Sequence, residues 1–354
     1  MPNPYLYVVI VLIVALVFVG VYLGTMVNSE TAKVAVLQSE LSTLSANYTM
    51  LQSQYSQLQS QYNQLEKNYT DLQAQYDKLN SQYLTLQQQY VQLLNTISKC
   101  GVSVTTESAF IFGVENWLGL ACIYNKYGES AALNAINNIY TIAYDYLYDY
   151  EETGNTTYLL LYPIVQYQNL TSSYPDCVVI GSIQNLTNTV TNALSSIDTA
   201  AHVLNIPGNL LGTPLFVIFN RANNITYVVA GASPVVYDAI DYAKEGRLVS
   251  TITYQGELLG IGFRASPTQV GLINELISSG LGFGNPRASL VVIEFLDPTC
   301  PFCALFQVTY GKPMQEIINN GTAYYVIQYF PTHVLGYGCS SPTIAPMLGS
   351  ICQG

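Results

Sequence analysis

The chain is poor in charge. Lys and Arg number 11 and Asp and Glu 22, so only 9% of the 354 residues carry a formal charge, against about a quarter in an ordinary soluble protein. With so few bases and a net charge of -11, the cationic footprint that a nucleic-acid binder needs is missing. Ion-pair networks cannot supply most of the polar surface either. That role falls to Ser, Thr, Asn, Gln and 30 tyrosines. Histidine is limited to His202 and His333, each isolated in the sequence. Seven cysteines are too sparse for a disulfide-dense miniprotein and leave one thiol over if the others pair. Proline and glycine are both absent from Val34 to Cys100. What is abundant is apolar surface, at 50% of residues, which excludes disorder throughout.

Much of that surface lies at the start. From Tyr5 to Val27 no residue is charged and Val, Leu and Ile dominate. As a helix this run spans roughly 35 Å, enough to cross the hydrocarbon of a bilayer. A cleaved secretion signal would show a basic leader, a shorter apolar run and a small-residue cleavage site. No Lys or Arg precedes the run, and its length predicts a retained transmembrane anchor over residues 1–30. The positive-inside rule has nothing to count ahead of the span, and Lys33 behind it argues weakly the other way. The later content places the rest of the chain outside. It holds seven Asn-x-Ser/Thr acceptors, beginning at Asn47, Asn68, Asn155, Asn169, Asn185, Asn224 and Asn320, a number compatible with an extracytoplasmic location.

Residues 31–100 read as a stalk. Val34, Leu41, Tyr48, Tyr55, Tyr62, Tyr69, Tyr76, Tyr83, Tyr90 and Ile97 hold one seam position, and Leu37, Leu44, Leu51, Leu58, Leu65, Leu72, Leu79, Leu86, Leu93 and Cys100 hold the other. Alternating spacings of three and four over nine heptads are the signature of a coiled coil, roughly 100 Å long. A Gln-rich low-complexity tract need not keep such a register. The pattern predicts a homo-oligomer of two or three strands. Cys100 closes the last seam position, where chains of a parallel bundle meet, and is a candidate for an interchain disulfide.

The remaining residues read as a globular head. Glu107–Tyr124 is mostly apolar but too interrupted by Glu115 and glycines for a second span. Helices are expected over Ala131–Tyr150, Asn185–Leu204, Ser233–Ala243 and Gln269–Ser279, with Tyr158–Tyr167 an ambiguous apolar run. Short strands are expected at Leu215–Phe219 and Thr226–Val229, a hairpin over 247–264, and a glycine-rich joint at Gly280–Pro286. Leu290–Phe295 and Tyr324–Tyr329 read as strands flanking a helix over Pro301–Asn319, a β-α-β unit.

The chemistry concentrates at Cys300-Pro301-Phe302-Cys303. Two cysteines three apart, after a strand and at the start of a helix, suit a redox site. The helix-terminal amides and dipole favour a thiolate at Cys300, and Cys303, one turn inward, is placed to attack a mixed disulfide. The same pair could be a static bridge. It could also be half of a zinc site completed by Cys339, Cys352, His333 or His202, although no second C-x-x-C is present.

The segment Val291-Val292-Ile293-Glu294-Phe295-Leu296-Asp297-Pro298-Thr299-Cys300-Pro301-Phe302-Cys303 resembles the active-site segment of DsbA-like thiol–disulfide oxidoreductases in the thioredoxin superfamily. Tyr329-Phe330-Pro331 resembles the end of that family's second core strand. Upstream, Gly212-Thr213-Pro214-Leu215-Phe216-Val217-Ile218 resembles its Gly-Thr-Pro strand start, followed by Val228, Val229, Gly231, Ala232 and Pro234. The resemblance implies catalytic roles for Cys300, attacking, Cys303, resolving, and Glu294, a partly buried acid below the thiols. It implies a cis Pro214 that orients substrate, with Thr213 contacting substrate backbone. Phe302 is a candidate substrate surface, and Phe295 is expected to pack. No metal or other cofactor is implied.

The order departs from the family. The helical region and the Pro214 strand precede Cys300, and no second Gly-Thr-Pro follows. The sequence therefore resembles a circular permutation of one thioredoxin-like α/β domain with a helical insertion, preceded by a transmembrane helix and a long coiled coil. The domain spans 105–354: a helical region 107–205, a cis-proline half 206–245, a joining segment 246–289 and a C-x-x-C half 290–354. An incomplete second copy, and strand exchange between chains on the stalk, are the alternatives. Cys339 and Cys352 are a candidate structural bridge or relay pair, and Cys122 and Cys177 a second candidate bridge. His202 and His333 are expected in surface or helix-packing roles; of the two, His333, after the expected second core strand, is the better candidate to approach the site. The expected function is membrane-anchored, extracytoplasmic exchange with protein thiols and disulfides, reset by a redox partner. The rival is a surface-stalk or partner-binding protein with an inactive head.

Overall fold

A computed structural model describes residues 4–99 and 104–353; the candidate interchain thiol, Cys100, lies outside the described residues. The chain divides into two compact units, Met1–Gln82 and Tyr83–Gly354. The first belongs to one continuous helix, α1 (Pro4–Lys99). Among the described residues, this N-terminal part is the one helix long and apolar enough to cross a membrane, consistent with a single membrane-anchoring segment. Beyond it, the described heptad-seam side chains from Val34 to Leu79 are exposed. Leu41, Tyr48, Leu58, Tyr62 and Leu65 are each between 63% and 68% exposed.

The second unit continues with four helices: α2 (Thr106–Tyr127), α3 (Glu129–Thr153), α4 (Thr157–Ser173) and α5 (Ile183–Leu204). Then come β1 (Leu215–Asn220), β2 (Ile225–Ala230), α6 (Val235–Lys244), β3 (Thr251–Tyr254), β4 (Glu257–Arg264), α7 (Pro267–Ser279) and β5 (Leu281–Gly284). The chain finishes with β6 (Leu290–Leu296), α8 (Pro301–Asn319), β7 (Ala323–Tyr329), α9 (Thr332–Cys339) and α10 (Ala345–Leu348). Thr105 and Ser108 form a capping box that starts α2, and Ser266 and Gln269 one that starts α7, each satisfying amide groups a helix start leaves bare.

The seven strands form one sheet in the order β3-β4-β2-β1-β6-β7-β5. β6 and β7 are parallel, joined through α8, and every other pairing is antiparallel. Helices cover both faces, so β1 and β6 are buried at every position and read as unbroken apolar runs. Their side chains alternate between two cores. Phe216, Ile218, Val292 and Leu296 face α3, α6 and α8. Leu215, Val217, Ile293 and Phe295 face α5 and α7. Phe295 is packed, as expected of it.

Three segments differ from the sequence expectation or complete it. The apolar Glu107–Tyr124 stretch is a core helix, with Phe110, Val114, Leu120 and Ile123 all buried; a helix apolar on most sides belongs inside a protein as readily as inside a membrane. Tyr158–Tyr167 lies in α4. Gly280–Pro286 is more than a joint: it contains β5, the sheet edge beside β7. A side chain at Gly282 would strike the Tyr324 hydroxyl, so the strand is written in residues that strand propensity disfavours. Residues 246–289 thus supply three strands and α7.

Candidate active site

The antiparallel pairing of β1 with β6 creates the site. Leu215 lies opposite Phe295, so the chain entering β1 faces the chain leaving β6. Thr213-Pro214 on one side, with a cis peptide bond, meets Cys300 on the other. The Cys300 thiol donates to the Thr213 carbonyl at 3.3 Å.

Cys300 caps α8. Pro301 occupies the first helical position, and the Cys303 amide donates to Cys300 Sγ at 3.3 Å. A sulfur here receives bare helix-start amides, which favours its anion. Cys300 and Cys303 are free thiols, 0% and 1% exposed.

The segment leading into Cys300 is held by the helical region. Tyr140 on α3 donates to the Asp297 carbonyl at 3.2 Å. Gln166 on α4 donates to the Pro298 carbonyl at 2.9 Å, and the Tyr162 hydroxyl donates to that of Thr299. Three successive carbonyls are thereby satisfied by side chains from two helices. Gly113 on α2 admits Val334 and Thr299 side chains into the space a Cβ would fill. The Asp297 carboxylate, 0% exposed, accepts four hydrogen bonds. Two come from the Thr299 amide and hydroxyl, at 2.8 and 2.7 Å. Two come from the His333 and Val334 amides, at 2.8 and 3.1 Å. One buried acid thus ties the Cys300 loop to the start of α9, where an anion complements the helix dipole.

The two thiols are driven apart in acidity. Burial pushes Cys300 up, but hydrogen bonds from Cys303 and His333, the charge of His333 and a hydrogen bond with Thr213 outweigh it and lower it. Burial raises Cys303 far above the ordinary thiol range, reinforced by Cys300 and the Glu294 charge. For His333 burial lowers the value, yet its hydrogen bond and Coulomb attraction to Cys300, with Asp297, raise it overall. Glu294 lies on the β6 face shared with Val292 and Leu296 and is 3% exposed. Burial raises it to about 7 against a Tyr325 hydrogen bond that lowers it, with the Cys300 charge adding to the rise. The parallel register sets Tyr325 opposite Val292, one step along the same face.

The remaining candidates sort by position. Phe302 is 57% exposed and lines an open groove with Tyr144, Leu147, Tyr148 and Leu305. Cys122 is bridged to Cys177, joining α2 to the turn after α4, and Cys339 is bridged to Cys352. His202 is exposed on α5. Two of the four candidates for completing a zinc site, Cys339 and Cys352, are bonded to each other, and among the described residues no group of three or more metal-ligating side chains gathers. Sequence reasoning assigned no role to Asp297, Thr332, Tyr140, Tyr162, Gln166 or Tyr325. Of these only Asp297 left a local signal, an Asp-Pro-Thr of the kind that folds an Asx turn.

Residues 278–343 match the protein-family model described as thioredoxin, a span that includes Cys300, Cys303 and His333 but not Thr213-Pro214. Comparison with curated proteins finds no match, and comparison with solved structures finds none. The chain carries a thioredoxin-superfamily domain, and its closely spaced cysteine pair, at the end of β6 and the start of α8, occupies the position expected of a thioredoxin-type catalytic centre.

Proposed function

We propose that the protein is a membrane-anchored, extracytoplasmic thiol–disulfide oxidoreductase that acts on protein cysteines through a mixed disulfide. The observation that carries the reading is the free Cys300–Cys303 pair at a helix start, against the cis Thr213-Pro214 of the same chain.

In the reducing direction the Cys300 thiolate attacks a substrate disulfide. A bond forms between Cys300 Sγ and one substrate sulfur, and the other sulfur leaves as a thiolate that takes up a proton. Cys303 then gives up its proton, with Glu294 as acceptor, and attacks Cys300 Sγ. The second substrate sulfur leaves, two electrons have passed to the substrate, and Cys300 and Cys303 are joined. Oxidation of a substrate dithiol runs the same steps backwards, and a partner with exchangeable thiols resets the pair. Pro214 and Thr213 hold the substrate backbone extended, and Phe302 offers apolar contact beside it.

Two structural bridges in the head suit an oxidising compartment and support an outward-facing head on the anchor. The contact between Cys300 and Thr213 within one chain supports a permuted single domain (helical region 107–205, cis-proline half 206–245, join 246–289 and C-x-x-C half 290–354) over strand exchange. The exposed heptad seam supports parallel self-association of the stalk, since anchors in one membrane give every stalk the same direction.

The test is a Cys303→Ser trap. Incubated with thiol-bearing and disulfide-bearing proteins, the variant is expected to accumulate adducts through Cys300 that reductant releases. Absence of any adduct, with a wild-type pair that stays unexchanged under an accessible thiol challenge, would establish the rival reading of an inactive, partner-binding head.

A further inference from the structure

Cys300 is fully buried, so its thiolate must be stabilised by neighbours rather than by bulk water. The titratable groups that face it are mostly acids. Glu294 comes from β6, Cys303 from α8 and Asp297 from the loop. Tyr140 comes from α3, Tyr162 from α4 and Tyr337 from α9. Ionisation of any of these adds negative charge and opposes a thiolate. His333 is the one member of this set that is cationic when protonated. The dipeptide between the cysteines is Pro301-Phe302 and brings no charge.

We propose that His333, delivered from the start of α9, is the catalytic cation that holds Cys300 as a thiolate, and that Thr332, Thr213 and Asp297 position it. The hydrogen bonds fix a direction. Thr332 Oγ1 lies 3.2 Å from His333 Nδ1 and 2.6 Å from Thr213 Oγ1. In the imidazolium both ring nitrogens are donors, so Nδ1–H must donate to Thr332 Oγ1. The Thr332 hydroxyl proton then turns to Thr213 Oγ1, on the residue whose carbonyl the Cys300 sulfur contacts and whose side chain favours the thiolate. The hydroxyls of Thr332 and Thr213 thus link the His333 ring to the residue whose backbone carbonyl meets the Cys300 sulfur. In the neutral thiol the direction differs: S–H donates to the Thr213 carbonyl. Ionisation of Cys300 removes that S–H donor and leaves the sulfur as an acceptor. Asp297 receives the His333 amide at 2.8 Å and sets where the ring begins.

The inference rests on Cys300 being the nucleophile proposed above, and its test separates the two. The reduced full chain in detergent micelles is alkylated with iodoacetamide across pH, and the labelled residue is located by mass spectrometry. Wild-type labelling at Cys300 is expected to inflect below the ordinary thiol range near about 8.5. His333→Gln is expected to move the inflection up by at least one pH unit, slowing labelling about tenfold at pH values below both inflections. It should shift the equilibrium with glutathione towards the disulfide by a similar factor. Thr332→Val is expected to move the inflection in the same direction, and Thr332→Ser to leave it in place. A purely structural role would lower the thermal midpoint without moving the inflection. A folded His333→Gln chain that labels as the wild type does would overturn the proposal. If that variant does not fold, equal inflections for Thr332→Val and Thr332→Ser would overturn it instead. The oxidoreductase reading fails by a different result, a Cys303→Ser trap that captures nothing whatever the inflection.

Discussion

Glu294 offers the sharpest quantitative test of the architecture beneath the thiols. It is buried between β1 and β7, and its carboxyl is raised from an ordinary 4.5 to about 7, chiefly by burial. In the unfolded chain it ionises at its ordinary value; in the folded chain it stays protonated until about 7. The unfolded state therefore releases the proton first, and folding becomes less favourable as pH rises between these two values. Below 4.5 both states are protonated and no cost arises; above about 7 the full difference applies, about 3 kcal/mol. Glu294→Gln removes the ionisation while keeping an oxygen for the Tyr325 hydroxyl. The variant is expected to match or fall slightly below the wild type at pH 4.5, then to gain on it steadily, by up to about 3 kcal/mol at pH 8. Denaturant unfolding of the reduced chain measures this, followed by Trp117. It is the single tryptophan and stacks on Tyr329 with ring centroids 5.0 Å apart, so its fluorescence reports on the head. Parallel stability curves for the two proteins from pH 4.5 to 8 would refute the buried, proton-holding Glu294.

Other perturbations reach the supports of the site. Replacing Cys122 and Cys177 by Ser opens a loop with a sequence separation of 55, and loop-closure entropy predicts a loss of about 4 kcal/mol in denaturant unfolding; an unchanged midpoint would contradict the bridge. Gln166→Leu leaves the buried carbonyl of Pro298 without its donor and removes a second bond to the Ile139 carbonyl within α3, at about 1–3 kcal/mol for the orphaned Pro298 group, and should slow exchange at Cys300 as well as lower the thermal midpoint. Leu58→Asp with Tyr62→Asp puts charges into the exposed seam. In place of the gain of about 1.5–3 kcal/mol for each buried Leu, it is expected to reduce the mass of the detergent-solubilised assembly in sedimentation equilibrium. An unaltered mass would remove the stalk as the association element.

What could be read from the sequence was local. β1 and β6 announce themselves because burial on both faces demands continuous apolar runs, and Cys300-Pro301-Phe302-Cys303 is complete within four residues. The supports of the loop are not local. Tyr140, Tyr162 and Gln166 lie between 132 and 157 residues before the carbonyls they satisfy, and a tyrosine in a chain of 30 tyrosines carries no label. β5 was hidden for a different reason, since the close approach of Tyr324 selects glycine over a β-branched residue. α2 was ambiguous because an apolar helix has one composition in a core and in a lipid bilayer. Asp297 sat inside the quoted motif, but its meaning depends on α9 returning to meet it, which no spacing within the motif encodes.

The scarcity of charge gives the few buried ionisable groups unusual leverage. In water-rich surroundings an extra Lys or Asp is screened within a Debye length; beside two sulfurs that are 0% and 1% exposed it is not. The two sulfurs feel different neighbours. His333 and Thr213 favour the anion at Cys300, whereas Glu294 and burial favour the proton on Cys303. If both sulfurs shared one environment, ionisation would divide between them, and a substrate mixed disulfide could form on either. Because they do not, the proposed mechanism gives attack to Cys300 and release to Cys303. The release step begins once the Cys300 charge has been consumed in the mixed disulfide. That charge is also one of the influences holding Cys303 protonated, so forming the first bond removes one opponent of Cys303 ionisation.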